Sequence, residues 1–519
     1  MDKNLDFNPQ FQKAFELMEN TKKHLFVTGK AGSGKSTLLT YWREHTKKKV
    51  AVLAPTGVAA LNVKGQTIHS FFHFKPSTTP DRVRKLRDRR AKIYKKLDAI
   101  VIDEVSMVRA DLLDSVDRFM RLHGKSSALP FGGIQMIFIG DLYQLSPVLT
   151  YAEKPFFQLR YKTPYFFDAR VCEHIEMELI ELEKIYRQKD DTFIALLNAI
   201  RNNTVREEHL TLLNARCNPN FELEIGKGND FFIYLTPRNR EADEINFKQV
   251  EKLPSKCYRY KAEIEGEFDR KSLPSDIELT LKEGVQVMMV NNDSGGRWVN
   301  GSVGRIVGIK EKRNEYDILL IKLSDGKLLQ VTPYTWELFR YTYDASADTL
   351  GTEVIGRFTQ YPVILAWALT IHKSQGKTFE KVVVDIGRGT FAHGQVYVAL
   401  SRATSLEGLV LKKPIEKKHI WMDWRVVKFI TQYQYRLSEK ALSFEQKLAI
   451  IQSAVKNRSK LEITYLKAND EKSKRIIQPS FVGKMEYQGK SYIGIKAFDS
   501  KRNEERIFRV DRILEIKVS

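Results

Sequence analysis

The spacing that most constrains chemistry in this chain is Gly29-Lys30-Ala31-Gly32-Ser33-Gly34-Lys35-Ser36. It is a complete G-x-x-x-x-G-K-[ST] run between the apolar stretch HLFVTG and the helix-like TLLTYW. Glycines there let backbone N–H groups wrap a phosphate chain, Lys35 neutralises β and γ oxygens, and Ser36 offers a hydroxyl to Mg²⁺. The pattern predicts a nucleotide site formed by Gly29, Ala31, Gly32, Ser33, Gly34, Lys35, Ser36 and Thr37. Asp103-Glu104 ends a second apolar run, AIVI. Across from a phosphate loop, Asp103 is suited to hold the metal and Glu104 to orient an attacking water. An isolated Asp-Glu is more often a solvated turn; the loop beside it is what argues for catalysis. Gln144, in GDLYQ after a third run, is suited to sense the γ-phosphate. Phosphoryl transfer also wants cations on the spreading charge. Arg187 (IYRQ) and Arg402 (VALSRA) are the candidates, although any one arginine of so many is first a surface residue.

These groups need a scaffold that gathers strand ends. HLFVTG (24–29), KKVAVLAP (48–55), AIVIDE (99–104) and IQMIFIGD (134–141) are short apolar runs ending in small or acidic residues. Separated by helical segments, they indicate a parallel sheet with ligands at its carboxyl ends. Phe11, Ala14, Phe15, Leu17 and Met18 fall at helical spacing, with Asn8-Pro9 as cap and first turn. Between about 255 and 360 the pattern changes to short alternating strands with turn glycines, read as a small inserted β-barrel. The α/β pattern resumes with VILAWALTIH and KVVVDIG. Residues 445–519 read as helix and then strands (ITYL, SYIGIKAF, ERIFRVDRI).

Composition narrows the partners. At 519 residues the chain exceeds one hydrophobic core. Lys plus Arg number 85 against 64 Asp plus Glu, and this excess of 21 attracts polyanions, nucleic acid first. Arg82–Lys96 holds nine basic residues and one acidic, Asp88; such runs are usually solvated helix faces rather than DNA contacts. Cys172, Cys217 and Cys257 show no CxxC pair, which argues against a zinc module and fits a reducing compartment. No signal region or long apolar span stands out, so a cytoplasmic, nucleoid-associated protein without membrane contact is expected.

GKAGSGKS, APTGVAA, TIHSFF, DEVSM, PFGGIQMIFIGDLYQLSPV, YRQ, TIHKSQGKTFEKVVVD and QVYVALSRA occur in this order. Together they resemble the motif series of superfamily-1 helicases of the RecD-like, 5′-to-3′ branch. LLDSVDRFMR followed by PFGGIQ is similar to the signature of the PIF-one family. The resemblance covers residues 7 to about 412. It implies an α/β fold of two RecA-like P-loop domains with ATP between them and single-stranded DNA across their tops. The division it implies is 1–180, with a small wedge-bearing insert near 60–80, and 181–440, with an SH3-like insert at 255–360. It assigns Lys35 and Ser36 to phosphates and Mg²⁺, Asp103 and Glu104 to metal and water, Gln144 to γ-phosphate sensing, and Arg187 and Arg402 to arginine fingers. The adenine-contacting glutamine aligns near Phe11, leaving Gln10 and Gln12 open.

The resemblance also points to DNA contacts at Pro55, Thr56, Thr67, His69, Phe72, Thr236 and Arg238. Hydroxyls and amides bind phosphates, and His or Phe faces stack on bases. Phe72 as core and His69 as a buried histidine are the plain alternatives. TIHKSQGKT ends like a second phosphate loop, but the glycine needed five positions before Gly376 is Ile371. The resemblance places a DNA-contacting motif there, which implies that Thr370, His372, Lys373 and Ser374 grip DNA, with Gln375-Gly376 coupling that grip to ATP. Residues 441–519 resemble a β-rich WYL domain through Tyr465, Tyr492, Arg506, Arg509 and Arg512, with a ligand, nucleic acid or protein as partner. The activity implied is an ATP- and Mg²⁺-dependent DNA helicase, a monomer acting at single-strand/duplex junctions in replication, repair or recombination. The alternative is a DNA-binding regulator switched by ATP.

Overall fold

The computed structural model describes residues 7–75, 78–86, 91–151, 153–188, 190–223, 231–268, 273–344, 349–387, 393–467, 472–487 and 489–518. Part of the basic run, including Asp88, lies outside them. The chain divides into two compact units, the second comprising Met422–Ser519 with Arg201–Thr204.

In the first unit the predicted apolar runs form a six-stranded parallel sheet. Its strands are β1 (His24–Gly29), β2 (Val50–Ala54), β3 (Gln66–Thr67), β4 (Ala99–Ile102), β5 (Gln135–Ile139) and β6 (Met177–Leu182), in the order β3-β2-β4-β5-β1-β6. Register pairs Leu25 with Ile137 and Ile100 with Met136. The runs are continuous rather than alternating because both faces are covered: Leu25, Phe26, Ile100, Val101 and Ile137 are fully buried. Helices α1 (Pro9–Asn20) and α2 (Lys35–His45) contribute Phe11, Ala14, Met18, Leu38 and Trp42 to one face. Asn8 caps α1 by accepting from Phe11 N–H at 2.9 Å, with Pro9 in the first turn.

A second parallel sheet joins Ala368–Thr370, Phe232–Thr236, Lys381–Val384 and Leu409–Leu411, in that order. The strands expected to close a small barrel are hydrogen-bonded as separate antiparallel sheets. The largest runs Leu328–Val331, Ile318–Leu323, Val303–Lys310, Gln286–Met289 and Val363–Leu365 around Val287, Ile306, Ile321 and Trp298. The hairpin Tyr334–Asp344 and Thr349–Gln360 pairs with Glu263–Gly266 in another. VILAWALTIH, read as one resumption of the α/β pattern, is two strands. Val363–Leu365 runs antiparallel to Gln286–Met289, and after Ala366-Trp367 the chain enters the second parallel sheet beside Phe232–Thr236.

The second unit contains the helices Trp424–Ala441 and Phe444–Asn457 and a five-stranded antiparallel sheet. Its own core includes Ile451, Leu461, Ile463, Ile477, Ile495, Phe508 and Ile513. Arg475 and Asp499 form a buried ion pair at 3.0 Å.

Candidate active site and DNA-facing residues

The strand order explains why distant motifs meet. β4, β5 and β1 are neighbours, so their carboxyl ends place Asp103-Glu104, Asp141–Gln144 and the glycine loop side by side. Gly32 and Gly34 take positive φ of 79° and 89°, which a side chain would strain. Lys35 curls back, its Nζ donating to the carbonyls of Gly29 at 2.8 Å and Lys30 at 3.1 Å. Ser36 and Thr37 are exposed. Ser33 is buried, with no hydrogen-bond partner for its Oγ.

Asp103 is buried, and Glu104 enters the left-handed region at φ 50°, ψ 43°. Desolvation, then the charge of Glu104, raises the pKa of Asp103. Desolvation also raises Glu104, while Lys35 and Arg402 oppose it. This is a carboxylate pair short of positive charge. Together with the Ser36 hydroxyl at the end of the glycine loop, it offers the hard oxygen donors that suit a divalent cation. Gln144 is buried, its Nε2 donating to Asp141 Oδ2 at 3.2 Å.

The second sheet supplies the other wall. Gln375 Nε2 donates to Glu104 Oε2 at 2.9 Å and lies 3.4 Å from Gln144 Oε1. Arg402 is 1 % exposed, and its guanidinium donates to the carbonyls of Val398 at 2.9 Å and Lys377 at 3.1 Å and to Ser401 Oγ at 2.8 Å. Burial, and then Arg187, brings its pKa down to about 9. Arg187 donates to the carbonyls of Ser401 and Gly376, each at 3.3 Å, and burial lowers its pKa. Lys35, Asp103, Glu104, Gln144, Arg187 and Arg402 are thus gathered at one cleft. Asp141 and Gln188 join them without having been singled out. Gln188 is buried and holds the Ser401 and Ala403 carbonyls at 3.1 Å each. A polar residue beside Arg187 was the available signal.

The two adenine candidates separate. Gln12 donates its amide to Phe7 O at 2.9 Å, whereas Gln10 reaches Glu183 at 3.5 Å, at the start of the segment that leads to Arg187. Gly376 has φ 78° and is exposed.

The expected DNA-facing residues divide by burial. Arg238 and Lys373 are exposed, and Pro55, Thr56, Thr67, His69 and His372 are half-buried. Thr56 and Thr67 accept from Ala59 N–H and Ser70 N–H at 3.3 and 3.1 Å, fixing the starts of short helices. Burial, then Arg109, lowers the pKa of His69, and burial lowers that of His372. Phe72 is a correction. It is 1 % exposed, stacked 5.4 Å from Phe74 and edge-on to Phe119 at 5.2 Å, so no face is left for a base. Thr236, Thr370 and Ser374 are buried too. The hydroxyl of Thr236 donates to Arg238 O at 3.1 Å, that of Ser374 to Ile371 O at 2.8 Å, and Thr370 Oγ1 accepts from Lys373 N–H at 3.2 Å. These three shape the loops that carry Arg238 and Lys373.

Comparison with known proteins adds a family. The PIF1-like helicase profile matches residues 8–210, a UvrD-like helicase C-terminal domain 365–410, and a WYL domain 446–518. The human ATP-dependent DNA helicase PIF1 is 34 % identical over 395 residues, 74 % of this chain; the chain spans 57 % of that relative's length. The structure of a Bacteroides sp. Pif1 in complex with ADP-AlF4 is 34 % identical with TM-score 0.75, covering 83 % of this chain and 98 % of that one. The Bacteroides Pif1 bound to ssDNA is likewise 34 % identical, with TM-score 0.60 over 85 % and 98 %.

Proposed function

The chain belongs to the PIF1-like helicase family, and from that premise we propose that it is an ATP- and Mg²⁺-dependent DNA helicase moving 5′ to 3′ on single-stranded DNA. The observation that carries the reading is the 2.9 Å bond from Gln375 to Glu104. It ties the loop bearing His372 and Lys373 directly to the carboxylate suited to activate water.

The residues divide the work. Lys35 exchanges its two loop carbonyls for β and γ oxygens, and amides of Gly32–Thr37 hold the phosphate chain. Ser36 and Asp103 would hold Mg²⁺, which supplies the positive charge that the Asp103-Glu104 pair lacks. Glu104 orients the water, Gln144 reports the γ-phosphate, and Arg187 and Arg402 spread the developing charge. Gln10 or Gln12 would reach the base, and the bond of Gln12 to Phe7 O favours Gln10. Pro55, Thr56, Thr67, His69, Arg238, His372 and Lys373 would line the strand's path, reading backbone rather than sequence. Movement requires that the grip differ between nucleotide states, not that it be tight. The proposed division is residues 1–180 and 181–440 as the two motor domains, with a wedge near 60–80 and an SH3-like insert at 255–360, and 441–519 as the WYL region; the helix Trp424–Ala441 belongs with the second compact unit, which favours moving that last boundary to 421/422. The working form is a monomer at single-strand/duplex junctions in a cytoplasmic setting; among the described residues no helix is long and apolar enough to cross a membrane.

Unwinding of 5′-tailed and 3′-tailed duplexes tests this. The expected result is ATP-dependent opening of the 5′-tailed substrate, abolished by Lys35→Ala. Opening of only the 3′-tailed substrate would reverse the polarity. Nucleotide binding with no turnover on any DNA would leave an ATP-switched regulator instead.

A further inference from the structure

The short helix Gln395–Leu400 carries a group that neither the phosphate loop nor the arginines account for. Tyr397 is 4 % exposed, and its hydroxyl accepts from the Ala31 N–H at 3.0 Å, joining residues 366 positions apart. Ala31 belongs to the phosphate loop, so the bond runs from the second sheet's helix to the tip of that loop. Two further contacts converge there. Tyr186 N–H donates to Gly32 O at 2.9 Å. Arg187 packs so closely that a Cβ on Gly32 would come 2.4 Å from the Arg187 Cβ. The phenol also lies close to Arg187 and to Arg402. Tyr397 therefore stands among the loop tip and both cations.

We propose that Tyr397 is a positioning residue for ATP hydrolysis: its hydroxyl fixes the Ala31–Gly32 tip relative to Arg187 and Arg402, so that loop and arginines meet the terminal phosphate in one geometry. This rests on the reading of the cleft as an ATPase site. The ring belongs to the buried apolar cluster around the second sheet, and phenylalanine fills that space equally well. Only the hydroxyl reaches the loop. Ground-state nucleotide binding draws on Lys35 and the amides of Gly32–Thr37, whereas the N–H that Tyr397 holds is that of Ala31, already engaged by the phenol. The arginines count most when charge spreads in the transition state. Losing the hydroxyl should therefore lower turnover and leave binding nearly intact.

The test is Tyr397→Phe in the full-length chain with saturating single-stranded DNA. The expected result is a kcat for ATP reduced about tenfold, with KM within about threefold of the wild type. Affinity for ADP with aluminium fluoride, which mimics the transferring phosphoryl group, should fall by the same factor while ADP alone binds unchanged. An unchanged kcat would overturn the proposal, as would an equal loss in ADP affinity, which would mark Tyr397 as a plain part of the binding wall. A wild-type chain without hydrolysis would overturn the ATPase reading itself, and the positioning role with it.

Discussion

At Glu104 a non-glycine residue sits in left-handed backbone, φ 50°, a conformation that costs free energy and persists only where surrounding contacts impose it. The Gln375 amide is one of those contacts. Because a hydrogen bond to a carboxylate contributes about 1.5–3 kcal/mol, removing it should be visible in the rate. Gln375→Ala is expected to lower DNA-stimulated ATP hydrolysis by about tenfold or more. Single-stranded DNA affinity, read by fluorescence anisotropy, should change by less than about twofold, since the amide faces the cleft rather than the strand. A parallel loss of both would place Gln375 on the DNA track instead. The sequence reads Gln375-Gly376 as a coupler, but the contact with a carboxylate 271 positions away leaves no local trace in it.

Elements decide which residues can act at all. His24 opens β1, between β5 and β6, and its Nδ1 accepts from Met136 N–H at 3.0 Å. Burial pushes its pKa from 6.5 down to about 4. The folded chain thus holds that proton less tightly than the unfolded chain does. Its contribution to stability is complete above pH 6.5 and is lost as pH falls to about 4. The thermal midpoint should decline across that window, and His24→Gln should flatten the decline; an unaltered acid limb would remove His24 from the account. The apolar runs made β1, β2, β4 and β5 legible, because a run of four to six buried residues leaves a local trace. Their order was not legible, since pairing partners lie far apart in sequence. The same limit explains VILAWALTIH, whose two halves are equally apolar but serve different sheets. It also explains Phe72, where a motif position and a core position look alike until Phe74 and Phe119 are seen to enclose it. Gly394 is a further instance. With φ 75° and a Cβ that would lie 2.5 Å from Tyr143 O, it lets the Tyr397 helix approach the Gln144 loop, which no spacing rule announces.

On the scale of the whole chain, every group gathered at the cleft lies between Gly29 and Arg402, within the first unit. The unit beginning at Met422 has its own apolar core and its own buried Arg475–Asp499 pair. It is matched by a different family, WYL, over residues 446–518. A motor that needs only the first unit for chemistry should survive loss of the second. A chain ending at Trp421 is expected to hydrolyse ATP with single-stranded DNA at a rate within about threefold of the full-length protein, because each unit supplies its own core. DNA affinity, by contrast, should weaken and its salt slope flatten if residues 422–519 bring cations to the strand, each phosphate contact contributing about 0.7 to that slope. Comparing the two slopes assigns the second unit. An unchanged slope makes it a module for a ligand or protein, and a shallower one makes it part of the grip. Collapse of DNA-stimulated hydrolysis on truncation would instead give the second unit command of the motor.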